Sequence, residues 1–278
     1  MDYIKDLINI AINEDIGDGD HTSLSCIPSE AQGKAHLLVK EPGIIAGVEL
    51  AEIIFKTIDP NVSFFKKISD GEKVSIGDIA FIVKGKSQSI LQAERLALNF
   101  MQRMSGIATN TNYYVRLLDG LKTQVLDTRK TTPGLRHIEK WAVKIGGGVN
   151  HRMGLYDMIM IKDNHVDYAG GIKEAISSTK DYLKMHNKLL KIEIEARDLN
   201  ELNEILSTGG IDRIMLDNFS FNDMRSAVKL IDGKYETEAS GGITSKTIRE
   251  YAECGVDFIS VGALTHQIKS LDLSLKAI

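Results

Sequence analysis

From Thr123 onward, short apolar runs alternate with amphipathic segments, and this pattern constrains the fold more than any other feature. The runs are "TQVLD", "YDMIMIKDNH", "LLKIEIEA", "DRIMLDN", "KYETEAS" and "DFISVGA". Most are separated by segments with apolar residues at helical spacing: "GIKEAISSTKDYLKM", "LNELNEILSTGG", "FNDMRSAVKLIDG" and "TSKTIREYAECG". Consecutive strands joined by helices must run parallel, because a parallel neighbour is reached only through a crossover. The alternation therefore predicts six parallel strands in one helix-covered sheet. Glycines at Gly209–Gly210, Gly233 and Gly255 stand where such helices stop in a left-handed cap.

The residues just past each strand are equally regular. In order, the strand ends carry Asp127-Arg129-Lys130, Lys162-Asp163-Asn164-His165, Glu195-Arg197, Asp217-Asn218, Ser240-Gly241-Gly242 and Gly262. Parallel α/β sheets and barrels bind ligands beyond the carboxyl ends of their strands. One charged residue there is ordinary, but six successive ends in phase predict an active-site rim.

The charge distribution narrows the ligand. Between Thr128 and Tyr156 stand Arg129, Lys130, Arg136, Lys140, Lys144 and Arg152, with His137 and His151 and one acid, Glu139. Yet the 278-residue chain holds 34 Lys+Arg against 38 Asp+Glu, a formal net of −4. Local positive charge on an acidic protein suits a small anion, and excludes a general nucleic-acid or membrane-surface binder. No apolar run reaches the length of a membrane span. The N-terminal "MDYIKDLINIAINEDIGDGD" places Ile4, Leu7, Ile8 and Ala11 at helical spacing, as in a surface helix rather than a signal peptide. Cys26 and Cys254, with no CxxC, fit a reduced, cytoplasmic protein.

The first part of the chain has a different texture. From Gly33 to Ser89, β-rich runs ("KAHLLVKEPGIIAG", "VSFFKKI", "KVSIGDIAFIVKGK") surround one helical segment, "VELAEIIFKTI". These predict a small α+β domain. The segment "SILQAERLALNFMQRMSGIATNTNYYVRLLDG" then predicts two helices divided at Gly106. "GDGDHTS" reads as a loop, since it lacks the ligand spacing of a calcium loop.

Each rim motif has a plain alternative. Arg129 and Lys130 would point to opposite sides of an extended segment and serve two anionic groups, or form surface ion pairs. Gly146–Gly148 before His151 and Arg152 would let the backbone approach a ligand, or simply cap a helix. Lys162, emerging from an apolar strand, would be a Schiff-base nucleophile, an anion ligand, or a partner of Asp163. "EASGGIT" and "SVGAL" suit a phosphate bound by backbone N–H groups, with the helix after the first turn adding its N-terminus. Glu195 and Asp217 suit Mg²⁺ or ribose hydroxyls, or would pair with the neighbouring cations. Glu193 shares a strand face with Glu195, and either could face the site.

Taken together, "EDIGDGDHTS", "AERLALNFMQRMSGIAT", "DTRKTTPGLR", "GGGVNHRMGLYDMIMIKDNH", "IMLDNF" and "GVDFISVGALT" resemble the quinolinate phosphoribosyltransferases, from about residue 10 to the C-terminus. The resemblance implies an N-terminal α/β sandwich over residues 1–110 and an incomplete, about six-stranded TIM-like α/β barrel over 111–266. Residues 267–278 would pack back on the first domain. It implies joining of quinolinate to phosphoribosyl pyrophosphate, with Mg²⁺, in NAD biosynthesis. It also implies a homodimer in which Arg103 reaches the partner's site. On this likeness Arg103, Arg129, His151, Arg152 and Lys162 hold quinolinate. Lys130, Glu195, Asp217, Ser240, Gly241, Gly242, Gly262 and Ala263 hold phosphoribosyl pyrophosphate. Lys130, Lys162, Glu195 and Asp217 are the residues closest to the chemistry, and Glu195 and Asp217 the metal carboxylates. The competing readings are a protein of this fold with another acceptor, a Schiff-base barrel enzyme, and a non-catalytic sensor of phosphorylated metabolites.

Overall fold

The computed structural model describes residues 2–278, which divide into two compact units. The first comprises residues up to Asn112 together with Thr131–Gly147 and Ala263–Ile278. Its elements in the N-terminal stretch are α1 (Asp2–Ile16), α2 (His21–Cys26), β1 (Gln32–Val39), β2 (Gly43–Ile44), α3 (Val48–Ile58), β3 (Ser63–Lys66), β4 (Lys73–Val74) and β5 (Ile79–Lys86). The long α4 (Ser87–Leu117) comes next. Strands β3, β5 and β1 form an antiparallel sheet completed at its edge by β12 (Leu273–Ala277), which pairs with β1 from Ala35↔Ala277 to Val39↔Leu273.

Alternation explains how this sheet packs. Along β1, Ala35, Leu37 and Val39 are buried while their neighbours stay partly open, and Phe81 and Val83 continue the same face on β5. Helix α3 answers with Leu50, Ala51, Ile54 and Phe55, and the Phe55 ring meets Phe81 edge-on at 5.9 Å. Full burial of each of the larger of these side chains is worth about 1.5–3 kcal/mol.

Two expectations change here. Gly106 does not divide a helix: α4 runs unbroken for 31 residues. A Cβ at Gly106 would lie 2.3 Å from the Lys269 carbonyl oxygen, so the glycine serves close packing. "GDGDHTS" is not all loop either, because the Asp20 carboxylate accepts the Ser23 N–H and caps α2.

The second unit comprises Tyr113–Lys130 and Gly148–Gly262. All six predicted strands form: β6 (Gln124–Leu126), β7 (Ile159–Ile161), β8 (Ile192–Ala196), β9 (Arg213–Asp217), β10 (Glu236–Ser240) and β11 (Phe258–Ser260). They make one parallel sheet in the order β6-β11-β10-β9-β8-β7. Between them lie α6 (Asp163–Ala169), α7 (Ile172–Met185), α8 (Leu199–Thr208), α9 (Phe221–Ile231) and α10 (Ile248–Glu253). Helix α5 (Arg136–Ile145) and the short α11 (Ala263–His266) belong to the first unit. Side chains beside β6 reach β8 and β10 across the sheet, so it curls into an incomplete barrel, open between β6 and β7. Val149 lies along β6 at this opening, through a parallel bridge to Leu126.

The two faces of this sheet differ. Ile192, Ile194, Ile214, Leu216 and Ala239 are buried and alternate with Glu193, Glu195, Arg213, Met215, Asp217, Glu238 and Ser240 on the other face. The polar series is the barrel interior. Among the described residues no helix is long and apolar enough to cross a membrane.

Candidate active site

The cationic window identified in the sequence is shared between the units. Arg136, Lys140 and Lys144 lie in the first unit, and Lys140 is fully buried. Arg129, Lys130, Arg152 and Lys162 lie in the second, with the strand ends.

Two of these cations lie close enough for the charge of one to act on the other. Arg152 is 9% exposed, and its guanidinium donates to the Met158 carbonyl at 3.2 Å. Burial lowers its pKa first, and the nearby Arg129 charge lowers it further. Like charges brought together around a buried guanidinium leave a strong local field for an anion. Lys162 ends β7 exposed, with its backbone N–H fixed by His165 Nδ1 at 2.9 Å. Lys130 is exposed, on a turn held by Thr128 Oγ1.

The strand ends also carry a carboxylate pair. Glu195 at the end of β8 is pushed up to about 7, chiefly by burial and then by Asp217, against the pull of Lys162. Asp217 ends β9 and accepts the Asn218 side-chain amide at 2.6 Å. The adjacent β10 end is Ser240-Gly241-Gly242, where the Ser240 carbonyl accepts the Asn218 N–H. Gly241 has φ +95, and a Cβ there would lie 2.2 Å from Asn218 Oδ1. Only glycine lets these two strand ends meet so closely. Gly242 also has positive φ. Gly262 ends the second unit, and Ala263 opens α11 in the first.

Cations, paired carboxylates and a glycine turn thus gather at one edge of a parallel sheet, the edge at which such folds bind ligands. Models of the N-terminal and C-terminal domains of quinolinate phosphoribosyl transferase match residues 20–105 and 107–276. The chain belongs to the quinolinate phosphoribosyltransferase family. The decarboxylating quinolinate phosphoribosyltransferase 1b of Nicotiana tabacum is 46% identical over 289 residues, covering 98% of this chain and 82% of its own. The solved nicotinate-nucleotide pyrophosphorylase of Francisella tularensis matches with a TM-score of 0.92 and 42% identity, covering 100% of this chain and 96% of its own. That of Ehrlichia chaffeensis matches with a TM-score of 0.91 and 33% identity, covering 99% and 98%.

Within this family fold, some rim residues sit differently from the strand-end reading. Arg197 turns to the surface, donating to Glu201 at 2.6 Å and Asp167 at 3.2 Å, and so leaves the rim. The helix after the Ser240 turn starts only at Ile248, behind a Thr244–Thr247 turn, and spans six residues. Its N-terminus is thus further along the chain from the glycines than expected. Arg103, on α4 of the first unit, donates through Nε to the fully buried Glu139 at 2.9 Å and through Nη2 to Thr132 at 2.6 Å.

His151 stands deeper than its place in the motif suggests, 8% exposed inside the barrel. Its Nδ1 accepts the Arg152 N–H at 2.7 Å, and its Nε2 lies 2.8 Å from Glu193 and 3.3 Å from Glu238. Burial opposes protonation of the ring, and the two carboxylates favour it. Because Nδ1 accepts the Arg152 amide, the ring proton that these carboxylates attract lies on Nε2. Burial, with Glu238 close by, raises Glu193 to about 7. Glu238 moves the other way. Burial opposes its ionisation, but His151, Ser260 and Arg213 hold it below the usual carboxylate range. Glu193 and Glu195 therefore share the interior face, Glu195 at the mouth and Glu193 beneath it. Glu238 and Arg213 had no motif to mark them: Arg213 opens its strand, and Glu238 lies in the polar run "ETEAS".

Proposed function

We propose that this chain transfers the phosphoribosyl group of phosphoribosyl pyrophosphate to quinolinate with decarboxylation, giving nicotinate mononucleotide, pyrophosphate and CO₂ for NAD biosynthesis. The observation that carries this reading is the Arg129–Arg152 pair at the same sheet edge as the Glu195–Asp217 carboxylates and the Gly241 turn. A dicarboxylate and a triply phosphorylated sugar repel one another. At about 4 Å each unit-charge pair costs roughly 4 kcal/mol at an effective dielectric of about 20, so the site must supply matching cations.

Arg129, Arg152 and Lys162 hold the quinolinate carboxylates, with His151 beneath them. Arg103 of a partner subunit completes the set in a homodimer. The partly exposed Arg103 guanidinium, aimed by buried Glu139, supports this role. Lys130 faces the pyrophosphate, and Ser240, Gly241, Gly242, Gly262 and Ala263 receive the 5′-phosphate. The Glu195–Asp217 pair fits a hard, oxygen-liganded ion, since Glu195 Oε2 is buried without a hydrogen-bond partner among the described residues. These two carboxylates would hold Mg²⁺ or the ribose hydroxyls, and the ion, when bound, neutralises charge on the pyrophosphate.

The protein's contribution is positioning and electrostatics. The pyridine nitrogen attacks ribose C1 as the bond to pyrophosphate breaks, and Lys130 stabilises the departing anion. The ring becomes a pyridinium. The bond between C2 and its carboxylate then breaks, the ring takes the electron pair, CO₂ leaves, and a proton takes its place at C2.

An assay with quinolinate, phosphoribosyl pyrophosphate and Mg²⁺ tests this, with nicotinate as the control acceptor. The expected result is stoichiometric nicotinate mononucleotide and CO₂ from quinolinate and none from nicotinate. Binding of phosphoribosyl pyrophosphate without product would overturn it.

A further inference from the structure

Beneath the rim, the barrel is charged where such interiors are normally filled by branched apolar side chains. Glu193 and Glu238 are fully buried, and His151 and Arg213 are 8% exposed. By the period of two, Glu193 lies below Glu195 on β8 and Glu238 below Ser240 on β10, about 7 Å deeper. Removing carboxylates and a guanidinium from water costs several kcal/mol per ion, and apolar residues of similar volume often serve stability as well or better. Packing alone does not account for this layer.

Its contacts converge on one segment. Beyond the Val149 bridge, Asn150–Arg152 is neither helix nor strand. The His151 N–H donates to Asp127 at 2.8 Å, and the Arg152 N–H donates to the His151 ring at 2.7 Å. That ring is gripped on its far side by Glu193 and Glu238. Glu238 is held in turn by Arg213 at 3.3 Å, whose guanidinium lies 4.1 Å over the Phe258 ring. A chain of contacts thus runs from the barrel floor to the backbone that presents the Arg152 guanidinium.

We propose that Glu193 and Glu238 are positioning residues for the transfer, acting through the His151 ring to set the Arg152 backbone and guanidinium against a substrate carboxylate. The inference rests on the reading of Arg152 as a carboxylate ligand. His151, Glu193 and Glu238 also form a donor set of the kind that binds a divalent cation. However, the 2.8 Å between Nε2 and Glu193 is shorter than two ligands of one tetrahedral ion would stand and suits a shared proton, and Arg213 already brings a full positive charge to Glu238.

The test compares Glu193→Ala, Glu193→Gln and Arg152→Ala by steady-state kinetics and thermal melting, with the metal content of the wild-type protein measured in parallel. Glu193→Ala should raise the KM for quinolinate roughly tenfold or more while that for phosphoribosyl pyrophosphate stays within about twofold. Glu193→Gln, whose amide oxygen still accepts the Nε2–H, should recover most of the loss. If Glu193→Ala does not fold, the ring ¹⁵N signals of His151 in Glu193→Gln decide. A retained Nε2–H tautomer supports the proposal, and a mixture of tautomers overturns it. Lower melting with unchanged KM values per folded molecule would make the layer purely structural, and a stoichiometric bound metal would also overturn the proposal. If Arg152→Ala leaves the quinolinate KM unchanged, it is the reading of Arg152 that fails.

Discussion

Arg152 and Lys162 look equivalent in the sequence, as cations near strand ends, but burial separates them. Lys162 is exposed, so Lys162→Ala should abolish most turnover while melting stays near wild type, measured by calorimetry beside the assay. Arg152 is buried and donates to the Met158 carbonyl, so Arg152→Ala should lose turnover and also about 1–3 kcal/mol of stability. Gly241→Ala must either move Asn218 or leave the left-handed region, and should weaken phosphoribosyl pyrophosphate binding by roughly tenfold, read from its KM. Glu195 is a pH-sensitive group of the rim. Its native pKa near 7 stands above the ordinary 4.5, so burial favours the protonated form. That stabilisation is complete below about 4.5 and is lost as pH rises through about 7, where the carboxylate proposed to bind is restored. Affinity of the free enzyme for Mg²⁺ with phosphoribosyl pyrophosphate should therefore rise between about pH 6 and pH 8, and Glu195→Gln should flatten the curve. A dependence identical to wild type in that variant would remove Glu195 from the role.

At the scale of elements, periodicity was a reliable guide and isolated glycines were not. The six strands and the helices between them were readable because each must bury one face, and a buried face imprints its period on the sequence. Gly106 read as a break because glycine disfavours helix, yet α4 passes through it. The reason lies far along the chain, in the Lys269–Ser270 backbone that packs where a side chain would stand. Gly106→Ala should therefore destabilise the protein by about 1–3 kcal/mol despite its higher helix propensity, a sign that urea melting would reveal. Stabilisation would show that propensity outweighs the contact.

At the scale of the whole molecule, the proposed homodimer makes a quantitative prediction. Inactive Arg103→Ala and Lys162→Ala chains, mixed and allowed to exchange, should form mixed dimers with one intact site each, restoring about a quarter of the sites. No recovery after verified exchange would place Arg103 outside the partner's site. The Thr123–Gly262 pattern by itself determined a parallel α/β sheet and the edge at which charge and glycine collect, because both arise from the local period of the chain. The clustered motifs also carried the family. Tertiary structure alone decided that Thr131–Gly147 packs in the first unit and divides the cationic window. It alone decided that Arg197 leaves the rim, and that Glu193, Glu238, Arg213 and His151 form a charged floor under the site. These outcomes depend on which distant groups meet as the sheet curls, and on the desolvation of charges brought together there. Neither quantity is a property of any local stretch of sequence.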